Sequence, residues 1–71
     1  MPVTMKDVFS GAVQQVGYDD DTGEMLVLWK DGKTSAYGGV SPQEVDRISR
    51  SHSVGAEIHA SIKGKYSHRY R

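Results

Sequence analysis

Five consecutive apolar residues, Met25-Leu26-Val27-Leu28-Trp29, stand between two segments made for turns, Asp19-Asp20-Asp21-Thr22-Gly23 and Asp31-Gly32. The run is too short for a helix and is punctuated as a hairpin is, so it reads as a strand. A strand with one wet face alternates apolar and polar residues, whereas this one is apolar on both faces and both must be covered. Leu26 and Leu28 are expected to face the helices, which leaves Met25, Val27 and Trp29 on the opposite side. Little remains in the chain to cover that side except the N-terminal segment with Val3, Val8 and Phe9, or a strong curl of the sheet. The other reading is a partner-binding patch, since exposed apolar surface of a few hundred Å² commonly marks an interaction site.

The neighbouring segments complete a meander. Val13 to Tyr18 reads as the preceding strand and Lys33 to Tyr37 as the following one, ended by Gly38-Gly39. Asp31-Gly32 is the dipeptide favoured in two-residue hairpins, where both central positions take positive φ. Ser41-Pro42-Gln43-Glu44 then places a capping Ser, a Pro at the first helical position and a Glu three residues on, which predicts a helix from Pro42 to about Arg50. Val40 and Val45 would form its hydrophobic staple, and Val45 and Ile48 its narrow buried stripe. Ser53 can cap a second helix in which Val54, Ile58 and Ile62 recur every four residues, with Gly64 suited to the position past its end. The expected fold class is therefore α+β, a single domain with a three-stranded antiparallel meander followed by two short helices. Residues 10–66 form the domain, 1–9 an N-terminal segment and 67–71 a basic C-terminal tail.

Length and composition narrow the function. Seventy-one residues make one domain. The chain has no cysteine, so neither a disulfide nor a thiolate nucleophile or ligand is available. No apolar run approaches the roughly 18 residues that a membrane helix requires. Met1 to Ser10 lacks the pattern of a secretory leader, so a cytoplasmic location is expected, the bacterial host's cytoplasm if a phage encodes the chain. Zero formal net charge argues against a generic polyanion binder. The charge is nevertheless split, with −4 over residues 1–32 and +4 over residues 33–71. The last nine residues hold Lys63, Lys65, Arg69 and Arg71 with His68 and no acid. Such a basic end either steers an acidic partner or is a solvated tail.

Catalytic chemistry has few candidates. His52, His59 and His68 lack the i, i+4 spacing that sets two imidazoles on one helix face for a metal. A zinc site would need all three with a carboxylate such as Glu57, and surface histidines explain them better. The acidic turn at 19–24 lacks the alternating ligands and distal Glu of a calcium loop. Gly38-Gly39 precedes no lysine and so cradles no phosphate. No catalytic residue, cofactor or metal is therefore expected, and the chain reads as a binding module rather than an enzyme.

Val16-Gly17-Tyr18-Asp19, Leu26-Val27-Leu28-Trp29, Gly32, Tyr37, Val40-Ser41-Pro42, Ser53-Val54-Gly55, Ile62 and Tyr66 occur in an order that resembles the KTSC domain. That family is named for its occurrence at the C-terminus of some lysyl-tRNA synthetases. The resemblance spans about residues 10 to 66 and aligns Ser10 with the family's opening Ser. The family's Phe-Asn in the second helix is Ile58-His59 here, and the aromatic before it is Glu57. Most members are small stand-alone proteins, many from bacteria and phages, so the resemblance implies a fold more than an activity. Size and lack of cysteine also resemble the small phage-encoded regulators of host RNA polymerase. That resemblance implies binding near the N-terminus of the polymerase β′ subunit, inhibition of transcription and antitermination.

The expected function is accordingly a protein-binding transcription regulator, monomeric, with bacterial RNA polymerase as its partner. Its partner-binding residues are expected to be Trp29 and Met25 on the strand, with Lys63, Lys65, Tyr66, Arg69, Tyr70 and Arg71 at the C-terminal end. Aromatic and Arg side chains dominate interface energetics, and Lys supplies steering. Strand addition at a sheet edge is one way to bind. The alternative is an RNA-binding accessory domain, in which the same basic residues neutralise phosphates and Tyr66 and Tyr70 stack on bases. Dimerisation through the Trp29 face is a third reading.

Overall fold

The computed structural model describes residues 3–8 and 10–71. Phe9, expected to help cover the second face, lies outside them. Among the described residues the chain forms β1 (Thr4–Asp7), β2 (Val13–Asp19), β3 (Glu24–Trp29), β4 (Thr34–Gly38), α1 (Pro42–Ser49), α2 (Val54–Ser61) and β5 (Ser67–Tyr70). All five strands join one antiparallel sheet in chain order, with both helices inserted between β4 and β5. The single α+β domain stands as expected, but the sheet has five strands rather than three. Thr4–Asp7, within the expected N-terminal segment, and Ser67–Tyr70, within the expected C-terminal tail, supply the two edges. These edge strands are four residues each and mostly polar, which is how natural sheets keep their borders soluble.

The turns between the central strands follow local chemistry. At the acidic turn the Asp19 carboxylate accepts the Asp21 N–H at 2.9 Å, and Gly23 takes φ +72° while donating to the Asp19 carbonyl. The second turn is not the two-residue hairpin that Asp31-Gly32 suggests. The Gly32 N–H bonds to the Trp29 carbonyl and the Trp29 N–H to the Lys33 carbonyl. Lys30-Asp31-Gly32 is thus a three-residue loop in which Gly32 alone takes positive φ, at +94°.

Both helices begin where their signals fall. The Ser41 hydroxyl accepts the Glu44 N–H at 3.2 Å, Pro42 opens α1, and Val40 and Val45 are buried together. Ser53 occupies the N-cap of α2, but its side chain caps nothing. Arg47 ties the helices to each other, bonding Glu44 within α1, Glu57 at 3.0 Å and Ser61 at 3.4 Å. Those carboxylates push the Arg47 guanidinium's affinity for its proton above the ordinary value.

Register decides which face of β3 meets the helices. Met25 sits between Tyr18 and Tyr37, and Val27 between Val16 and Ser35. Met25 and Val27 pack with Val13, Val16, Tyr37, Val40, Val45, Ile48, Val54, Ile58 and Ile62 in one core. The expectation that Leu26 and Leu28 face the helices is therefore reversed. Leu26 lies on the opposite face in a row with Met5, Gly17, Ala36 and Arg69. It is only 5% exposed there, and beside it the Met5 sulfur lies over the position where Gly17 has no side chain. Gly17 is the tightest point, since a Cβ there would run into the Met5 sulfur and the Thr4 carbonyl. Among the described residues no helix is long and apolar enough to cross a membrane.

Candidate functional site

The two sheet faces divide the expected binding residues between them. Strand β5 alternates, so His68 and Tyr70 project to the helix side while Arg69 projects to the other. On the helix side a groove of about 490 Å³ opens between the end of β3, strands β4 and β5, and the turn after α2. Trp29, Tyr37, His68 and Tyr70 supply its rings, Lys33, Lys63 and Asp31 its charges, and Ser35 and Gly64 complete its lining.

A buried hydroxyl holds these rings in place. Ser35 is 2% exposed and receives the Trp29 indole N–H at 2.8 Å, with His68 Nε2 at 3.0 Å from the same oxygen. His68 packs on Tyr37 with centroids 4.9 Å apart, and Tyr70 meets His68 edge-on at 4.8 Å. Each such contact favours one mutual orientation of the rings. Burial raises the Tyr37 phenol above its ordinary pKa. Lys63 places its ammonium 5.8 Å from the Trp29 ring centroid, within cation–π range. The Ser35–His68 contact pairs the residue types of a nucleophile and its base. The hydroxyl is nonetheless almost wholly buried and already accepts the indole N–H, which makes it an anchor for the groove's walls. No group of three His, Cys, Asp or Glu among the described residues is placed to hold a metal ion.

The opposite face carries a charge cluster. Arg69 donates two hydrogen bonds of 2.8 Å to the two oxygens of Glu24, and Arg71 donates to Asp19 at 2.9 Å and Glu24 at 3.4 Å. Gly38 makes the crossing possible: it lies between Glu24 and Ser67, and a Cβ there would be 2.6 Å from the Ser67 hydroxyl. The Arg69 guanidinium holds the Glu24 carboxyl down to about 2, against an ordinary value of 4.5. Arg71 likewise lowers Asp19. The basic C-terminal end thus answers the acidic first half of the same chain.

Of the residues expected to bind a partner, Trp29, Lys63 and Tyr70 meet in the groove. Met25 does not, being wholly buried in the core. Tyr66 is half-buried against that core beside Gly39 and is a packing residue. Lys65 is exposed but outside the groove lining, and Arg69 and Arg71 are engaged on the other face. Sequence reasoning passed over Lys33, Ser35, Tyr37 and His68. A strand assignment for 67–70 would have recovered His68, because it shares a face with Tyr70 two residues on.

The model of the KTSC domain matches residues 9–66, from the approach to β2 through the turn after α2. The chain belongs to the KTSC domain family. A KTSC domain protein from Yersinia pestis has a crystal structure that superposes with a TM-score of 0.88 at 24% identity, covering 99% of each chain. At that identity the likeness establishes the fold alone. No curated protein matches the sequence. The KTSC match ends at Tyr66, so β5 and the half of the groove built by His68 and Tyr70 lie beyond it.

Proposed function

We propose that this KTSC domain is a protein-binding module whose recognition surface is the groove of Trp29, His68 and Tyr70. The observation that carries the reading is the convergence of these rings, fixed on the buried Ser35 hydroxyl and flanked by Lys33 and Lys63, at an open border of the sheet. Tyr70 is 66% exposed and packs edge-on against His68, and a large aromatic at the surface is the type of side chain that anchors interfaces. Bacterial RNA polymerase is the partner that the resemblance to small phage regulators suggests, with inhibition and antitermination as the consequence. The RNA reading is weaker. Two of its four cations, Arg69 and Arg71, are committed to Glu24 and Asp19 on the far face.

Affinity capture from bacterial lysate with the wild-type chain and Tyr70→Ala tests the proposal. The wild-type chain is expected to retain a protein that Tyr70→Ala loses, and recovery of polymerase subunits would identify it. Retention of RNA in place of protein, released by moderate salt, would refute the reading.

A further inference from the structure

We infer that the partner binds as an added β-strand on the open edge of β5, and that the added segment is acidic. This rests on the binding reading above and specifies its geometry. The Arg71 N–H bonds to the Thr34 carbonyl at 2.9 Å. Continuing the β4–β5 register from that bond, Arg69 opposite Ala36 is the next hydrogen-bonded pair, because bonded and non-bonded pairs alternate in an antiparallel ladder. His68 and Tyr70 fall at the non-bonded positions, so their backbone N–H and C=O groups point away from β4 to the free edge. The two residues whose rings line the groove are therefore the same two that offer main-chain hydrogen bonds outward. A strand laid along β5 would bond to them and, at the positions directly opposite, set its own side chains beside their rings.

Charge selects the occupant. Lys33 and Lys63 flank the groove, Lys65 follows Gly64 on the approach to β5, and among the described residues Asp31 is the sole acid in the lining. An extended segment carrying Asp or Glu beside an aromatic or apolar residue complements this border. A second copy of the chain does not, because the β5 it would offer, Ser67-His68-Arg69-Tyr70, carries no acid.

Selection of a random peptide display library on the full-length domain, followed by three variants, tests the inference. Recovered peptides are expected to be rich in Asp and Glu, and Lys63→Glu should weaken them about tenfold. Tyr70→Ala and Tyr70→Pro both remove the ring, but only proline removes the outward N–H, at an edge position where it breaks no ladder bond. Tyr70→Pro should bind about tenfold more weakly than Tyr70→Ala. As a check that does not depend on the variants, bound peptide should slow hydrogen exchange at the His68 and Tyr70 amides of the wild-type chain. Peptides that bind with Ala and Pro equivalent and these amides unprotected would overturn strand addition and leave groove binding standing. Recovery of basic peptides would overturn the acidic assignment, as would a dimer in sedimentation that Tyr70→Pro dissociates. Recovery of no peptide would remove the binding reading and this inference with it.

Discussion

Glu24→Gln tests how β5 is held to the sheet. In the wild-type chain the Glu24 side chain is 10% exposed and receives both arms of Arg69, with Arg71 at 3.4 Å. Its carboxyl falls from 4.5 to about 2, a depression that would represent at most roughly 3 kcal/mol if fully expressed as stability. The Arg69 side chain is 58% exposed, so solvent screens the pair and about 1 to 2 kcal/mol is the expected cost of neutralising Glu24. Because the folded value lies below the unfolded one, this contribution is complete above pH 4.5 and is lost as pH falls toward 2. Urea denaturation followed by Trp29 fluorescence should show Glu24→Gln less stable at pH 7, with the gap closing across that window. A variant as stable as the wild-type chain at pH 7, or a gap independent of pH down to 2, would refute the reasoning.

Other perturbations separate the core, the edges and the groove. Gly17→Ala forces a methyl into the Met5 side chain and the Thr4 carbonyl, and should cost about 1 to 3 kcal/mol in a thermal melt. It should also expose the β1 amides to exchange before the rest of the sheet. Ser35→Ala leaves the indole N–H and His68 without their shared oxygen. A loss of about 1 to 2 kcal/mol is expected, with red-shifted Trp29 emission as the ring loosens. Ile58→Ala empties a fully buried site beneath β3 and should cost about 2 to 4 kcal/mol by urea denaturation.

How much of this was legible depends on where physical signals are redundant. The central hairpins and α1 carry turn residues, a capping Ser with Pro and periodic apolar positions, and they form within a residue or two of expectation. β1 and β5 carry none of these. Thr4-Met5-Lys6-Asp7 and Ser67-His68-Arg69-Tyr70 are short edge strands whose order comes from a neighbour, and a neighbour leaves no periodicity in the sequence. The faces of β3 were ambiguous for a related reason: an all-apolar run is compatible with either orientation. The adjacent strands break the tie, because Val16 and Tyr37 can fill a core beside Met25 and Val27, whereas Gly17 and Ala36 beside Leu26 cannot. The charge split was visible, but its use was not. The acids at 19–24 read as a turn and the basic end as either partner-steering or solvated, whereas the fold brings Asp19 and Glu24 onto Arg69 and Arg71.

The groove is the account's central claim, and nuclear magnetic resonance mapping with the captured protein tests it most directly. Trp29 is the chain's single tryptophan, so its indole N–H gives one isolated resonance that reports on the Ser35 bond. On titration that resonance should move together with the backbone amides of Lys63, His68 and Tyr70. Shifts confined to Leu26, Leu28 and the Glu24–Arg69 face, with the indole unmoved, would place the interface on the other side of the sheet and contradict the account.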